Sequence, residues 1–149
     1  MTWHELSIRS YPASRDARAG RAVLASVLDM SVAALRLAGI SLDCADPVAL
    51  ASFYRDLLAG TALWSNPDSA GVEVDGAVLV TQRVSDYVRP TWPGTSLVHL
   101  DVAAGTDLEA SVAFAVTLGA ERSTHQPDDR WCVLIDPAGH PFCITTVTP

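Results

Sequence analysis

The sequence contains no lysine: all ten of its basic residues are arginine. Schiff-base chemistry on a side-chain amine is thereby excluded. Cysteine is sparse. Cys44, Cys132 and Cys143 are an odd number at wide spacing with no Cys-x-x-Cys pair, which excludes a zinc knuckle and reads as three reduced, partly buried thiols. No nucleotide-binding glycine signature, no Gly-x-Ser-x-Gly elbow and no His-Glu-x-x-His motif occurs. Long apolar runs are missing too. Ala22–Leu28 follows Arg18 and Arg21, but Asp29 cuts it short of a bilayer span and no clear cleavage site follows. Positive charge is scarce: the net charge is −7 and the pI about 4.8, which argues against a binder of nucleic-acid backbones. The expectation is a cytoplasmic protein with neither a membrane nor a nucleic acid as partner.

What is present suits a single globular domain. The chain has 149 residues, 49% of them apolar and 18% charged, enough for a sizeable core. Residues 1–36 read as an N-terminal extension: a loose arm to about residue 16, then a weakly periodic stretch compatible with a helix. Met30 is an alternative start, and residues 1–29 are expected to be dispensable for folding.

From residue 37 a pattern occurs twice. Leu37–Cys44 alternates, with Gly39, Ser41 and Asp43 on one face and Ile40, Leu42 and Cys44 on the other. Asp46 and Pro47 cap and open a helix whose apolar stripe is Leu50, Phe53, Tyr54, Leu57 and Leu58, with Gly60 as its stop. Strands are predicted at Ala62–Ser65, Gly71–Val74 and Ala77–Arg83, the last two joined by the hairpin pair Asp75-Gly76. After a connector rich in Pro and Trp, Leu97–Ala103 alternates like the first strand. Thr106 or Asp107 caps a second helix that Gly119 ends, and strands follow at Ala120–His125, Arg130–Ile135 and Phe142–Val147. Asp136–Gly139 fills the turn position held earlier by Asp75-Gly76. A single strand-helix-strand-strand-strand unit leaves one sheet face uncovered, so two units enclose a cavity of the kind that takes small molecules.

The stretches Asp46-Pro47, Leu50–Gly60, Gln82-Arg83-Val84, Trp92-Pro93, His99-Leu100-Asp101, Leu118-Gly119-Ala120 and Asp136–Cys143 together resemble the vicinal oxygen chelate superfamily (glyoxalase/bleomycin resistance/dioxygenase), in its glyoxalase-like actinobacterial branch. The resemblance covers residues 37–147 and implies an α+β fold: two βαβββ modules, 37–83 and 97–147 about a connector at 84–96, forming an eight-stranded, partly open barrel. It also implies a homodimer. Members that use a metal hold a divalent ion with His, Gln or Glu from the first and last strands of the modules. Carried over, those positions fall on Gly39 or Ser41, on Val80 or Gln82, on His99, and on Cys143 where Glu is usual. Most of that ligand set is missing, so no metal cofactor is expected. The alternative is a divalent ion on His99 and Cys143, with Gln82 and Asp43 as conceivable further ligands.

The expected small-molecule cavity is lined by Gly39, Ser41, Asp43, Gln82, Trp92, His99, Asp101, Trp131 and Cys143. His99 is the best candidate for a catalytic group, because imidazole titrates near neutrality. The plainer reading is a hydrogen-bonded structural histidine. Asp101 shares its face but should orient it only loosely, since residues two apart on a strand stand about 7 Å apart. Asp43 and Asp101 read as polar packing at the module seam, and Cys143 as a buried filler rather than a thiolate nucleophile. Trp92 suits a pocket wall or dimer contact, Trp131 the core or the barrel lining, and His140 an exposed turn. Three functions remain: a protein that binds a small, unidentified molecule without a metal; a lyase, isomerase or dioxygenase-type enzyme using His99 and a divalent metal; and an interaction module with a vestigial cavity.

Overall fold

The computed structural model describes residues 37–94 and 98–147. The expected arm, its helix and the alternative start at Met30 lie outside the described residues. The element order is β1 (Ile40–Cys44), α1 (Pro47–Leu57), β2 (Thr61–Ser65), β3 (Ser69–Val74), β4 (Ala77–Arg83), β5 (Leu100–Ala103), α2 (Leu108–Thr117), β6 (Glu121–Arg122), β7 (Trp131–Ile135) and β8 (Pro141–Thr145). The fold is α+β, two βαβββ modules. Each folds into a four-stranded sheet of the same topology, β1-β4-β3-β2 and β5-β8-β7-β6. In each, the first and last strands run parallel, Ile40 opposite Leu79 and Leu100 opposite Phe142, while the other pairs are antiparallel.

The local signals are met nearly residue for residue. The Asp46 and Asp107 carboxylates accept from the amides of Ala49 (3.1 Å) and Ala110 (2.9 Å), satisfying N–H groups that a helix start leaves unpaired. Asp107, not Thr106, is therefore the second cap. Asp75 and Gly76 both take positive φ (50° and 78°), the backbone of a two-residue hairpin. The helix stops need one correction. Gly119 takes φ 110°, but in the first module the left-handed residue is Ala59 (φ 50°), one place before Gly60. Both helices close the same way, the Gly60 amide donating to Arg55 O at 2.9 Å and that of Ala120 to Ala115 O at 3.1 Å. Gly60 is needed for closeness instead: a Cβ there would stand 2.8 Å from Glu73 O.

The helix-covered faces of the two sheets meet in one core. Cys44, Leu50, Phe53, Tyr54 and Leu79 of the first module pack with Val112, Ala115, Cys132, Leu134, Phe142 and Ile144 of the second. The Phe53, Tyr54 and Phe142 rings meet edge to face, with centroids 5.0–6.3 Å apart. Period-two alternation sends Ile40, Leu42 and Cys44 inward and leaves Ser41 and Asp43 exposed on the other face, as the pattern predicts.

Module two's second strand is shorter than expected. Only Glu121 and Arg122 pair as β6; beyond them the side chain of Gln126 acts as a surrogate peptide group. It donates to Val133 O and accepts from Val133 N, at 2.9 and 2.8 Å.

Candidate functional site

The open face of module two carries the candidate site. Alternation along β5, β7 and β8 puts Asp101 and Ala103, Trp131 and Val133, and Cys143 and Thr145 on the face away from the core. With Trp92 from the connector, His99, Pro127 and Val147, they line a cavity of about 610 Å³. The walls are mainly apolar. Trp131 lies under the Arg130 guanidinium, 5.1 Å from its ring centroid, and that guanidinium is gripped at 2.9 Å by both oxygens of Asp128. Trp92 packs edge-on to His125, with ring centroids 6.2 Å apart, and its Nε1 is buried without a hydrogen-bond partner among the described residues.

The polar end of this cavity is tighter than spacing alone predicts. His99 precedes β5, and its Nε2 comes within 3.4 Å of Asp101 Oδ1, half the separation expected for parallel neighbours on a strand. Asp101 and Cys143 are register partners on β5 and β8. The ligand atoms of His99, Asp101 and Cys143 all lie within 4.8 Å of one another. Burial, reinforced by the Asp101 carboxylate, pushes the Cys143 thiol up to about 11, so it is protonated at neutral pH and is not a free nucleophile.

The expected residues do not converge on one cavity. Trp92, His99, Asp101, Trp131 and Cys143 meet here. Ser41 and Asp43 belong to a separate pocket of about 460 Å³ beside Val98, His99, Leu100 and His140, so His99 borders both. Gln82 lines neither; its amide donates to Asp43 Oδ1 at 2.8 Å, as the register pairing of the two residues allows. Gly39 leaves no room for a ligand, because a Cβ there would sit 2.6 Å from Val78 O. Val133, Thr145, Ala103, Pro127 and Val147 were not foreseen as lining residues, although the first two follow from alternation with Trp131 and Cys143.

His140, expected to be exposed, is mostly buried, its side chain 18% accessible. Its Nδ1 lies 2.9 Å from Asp136 Oδ2, and its Nε2 lies 3.2 Å from the Tyr87 hydroxyl. Burial and the Asp136 charge push the Tyr87 phenol up to about 12.

Compared with known proteins, the sequence model of the glyoxalase-like domain family matches residues 39–145. The chain belongs to that family. With it comes membership of the vicinal oxygen chelate superfamily, whose solved members share the fold. A FosX fosfomycin resistance protein of Listeria monocytogenes, complexed with Mn(II) and a dihydroxypropylphosphonic acid, superposes with a TM-score of 0.61 at 14% identity, over 77% of this chain and 92% of that one. A glyoxalase/bleomycin resistance protein/dioxygenase family enzyme of Burkholderia phytofirmans gives 0.60 at 17% identity over 74% and 97%. FosX of Mesorhizobium loti gives 0.59 at 11% identity over 77% and 94%. Likeness at these identities establishes the fold and leaves the chemistry to the site. No curated protein matches the sequence. No helix among the described residues is long and apolar enough to cross a membrane.

The donor chemistry of this glyoxalase-like domain fits a divalent ion that accepts nitrogen, oxygen and sulfur together. An imidazole nitrogen, a carboxylate oxygen and a sulfur stand on one sheet face beside an open cavity. If such an ion is bound, His99, Asp101 and Cys143 hold it, and it would supply Lewis-acid polarisation of a ligand oxygen.

Proposed function

We propose that this glyoxalase-like domain binds a small, largely apolar molecule on the open face of module two, between Trp92 and Trp131, with the polar end of the ligand at His99 and Asp101. The observation that carries this reading is the 610 Å³ cavity: two tryptophans and several aliphatic groups line it, and among the described residues its only ionisable side chains cluster at one place and no arginine lines it. The three arginines that could have recruited an anion are engaged elsewhere. Arg83 donates to Pro67 O and Ala45 O, Arg89 to Pro137 O, and Arg130 pairs with Asp128. A neutral planar ligand suits the walls better than a phosphonate.

The test is titration of the full chain with a neutral naphthalene dye, followed by tryptophan fluorescence, beside methylphosphonate. The dye should bind and Trp131→Ala should weaken it at least about tenfold, while methylphosphonate should not compete. Dye binding unaffected by Trp131→Ala would place the ligand elsewhere.

A second reading is favoured by the three-donor cluster: a metal-dependent lyase, isomerase or dioxygenase-type enzyme in which His99 and a divalent ion act on that ligand. The same proposal has the chain as a cytoplasmic homodimer. Three free thiols suit a reducing compartment, and exposed Leu63 and Trp64 on β2 offer apolar surface to a second copy. Sedimentation at micromolar concentration checks the dimer.

A further inference from the structure

We propose that Tyr87 and Arg89 are positioning residues for the module-two cavity: they clip the connector after β4 to the β7–β8 turn and thereby hold Trp92 in place as a cavity wall. The inference rests on the ligand-binding reading above and names what sets the shape of that site.

The connector has no regular structure of its own, since no helix or strand occurs between β4 and β5 among the described residues. It leaves β4 with the Val84 amide on Cys44 O at 3.0 Å, and it turns as the Tyr87 amide reaches Val84 O at 3.3 Å. Two of its side chains then grip one turn of the other module. Tyr87 Oη donates to Ala138 O at 2.9 Å and lies 3.2 Å from His140 Nε2. Arg89 Nη1 donates to Pro137 O at 3.1 Å. The Arg89 stem crosses Gly139 so closely that a Cβ there would overlap its Cγ; glycine, at φ 105°, leaves the room. The turn is a stiff post, because Asp136 Oδ1 accepts from the consecutive amides of Ala138, Gly139 and His140.

Trp92 is tethered closely to that post. It follows three residues after Arg89, a reach of at most about 11 Å, and Pro90 fixes φ within that length. Beyond it the chain turns tightly, a Cβ at Gly94 standing 2.8 Å from Thr91 O. The indole has few attachments of its own. Its ring meets His125 edge-on, and its Nε1 makes no hydrogen bond among the described residues. A wall that bonds so little is placed by what stands behind it. Here that is the pair Tyr87 and Arg89, neither of which lines the cavity.

The experiment follows the Trp92 indole N–H by NMR in the full chain without ligand, assigned with Trp92→Phe, and then titrates the neutral naphthalene dye by its own fluorescence. In Tyr87→Phe/Arg89→Ala the indole resonance should shift and its hydrogen exchange rise at least about tenfold, as loss of two hydrogen bonds allows. Dye binding should weaken by about tenfold in the same variant. Arg89→Lys keeps the stem over Gly139 and a donor for Pro137 O, so it should restore most of both. In a Trp92→Ala chain the clip substitutions should weaken the dye no further, because their effect runs through the indole. Val72→Ala, which destabilises module one away from the connector, should leave the indole signal unchanged. If the double variant does not fold, Tyr87→Phe alone keeps the ring and is read in the same way. An indole signal unmoved by the clip variants, a further loss of binding in the Trp92→Ala background, or an equal shift in Val72→Ala would each overturn the proposal. So would dye binding that the clip variants leave intact, and that result would let the cavity reading stand. A wild-type chain that holds the indole as described but takes no dye would sink the cavity reading and, with it, the assignment of Tyr87 and Arg89 to a binding site.

Discussion

Tyr54 Oη donates a 2.9 Å hydrogen bond to Asp136 Oδ2, joining α1 of the first module to the β7–β8 turn of the second, with both side chains at most 1% exposed. The same carboxylate is saturated on its other side. Asp136 Oδ1 accepts from the amides of Ala138, Gly139 and His140 at 2.7–2.9 Å, and Oδ2 also meets His140 Nδ1. A buried anion is tolerated here because each oxygen has several donors.

Removing the two partners should therefore have unequal effects. Tyr54→Phe deletes one donor of several and should cost about 1–2 kcal/mol. Asp136→Ala strands the Ala138 and His140 amides and the tyrosine hydroxyl, the Gly139 amide keeping the residue-136 carbonyl at 2.9 Å, and should cost about 3–5 kcal/mol. Urea unfolding followed by circular dichroism measures both. Equal losses would mean that the carboxylate does not organise the turn.

Alkaline pH should loosen the fold through Cys143. Its thiol is raised from 9.0 to about 11 by burial and by Asp101, so its contribution is fully present below pH 9 and is lost as pH rises through the folded value. Cys44 and Cys132 are raised in the same direction, chiefly by burial. The melting temperature should fall between about pH 9 and 11, and less steeply in Cys143→Ala. A pH profile identical to wild type in that variant would contradict this assignment.

Gly39→Ala tests the close approach of β1 to β4. The added methyl would lie 2.6 Å from Val78 O, a backbone atom that cannot swing aside. We expect a loss of about 1–3 kcal/mol, in the range of overpacking. Chemical denaturation of the variant is the measurement; a neutral result would mean that the strand end simply shifts outward.

Gln126→Ala should unpair the Val133 amide, while the Val133 carbonyl keeps the Ser123 amide at 3.0 Å, and should cost about 1–2 kcal/mol. Gln126→Glu keeps an acceptor for the amide but sets a carboxylate against the carbonyl, so it should be no better. Faster hydrogen exchange at Val133 in both variants is the direct readout. Unchanged exchange would show that backbone or water replaces the side chain.

Much of the architecture was readable because it rests on local chemistry. Asp46 and Asp107 as caps, Asp75-Gly76 as a hairpin, and alternation along β1, β5 and β8 act within a few residues, and the repeat checks each reading against its counterpart. The site was legible only in part. His99, Asp101, Trp131 and Cys143 share a face by alternation, and they do meet. That Ser41 and Asp43 belong to another pocket depends on how two sheets stand in space, which spacing along the chain does not encode. The burial of His140 depends on Tyr87 and Asp136, and the strand-like role of Gln126 on a side chain doing a backbone's task.

The core shared by the two modules bears on concentration. A chain carrying only one module would leave its half of that core, including Phe53 and Tyr54 or Phe142 and Leu134, facing water, and would fold only by meeting a complementary half. Joining the halves through the connector after Arg83 replaces an encounter in solution with one at a local concentration of about millimolar. Folding of the paired modules then becomes insensitive to dilution, and the duplicated chain keeps both halves together at expression levels where separate halves would drift apart.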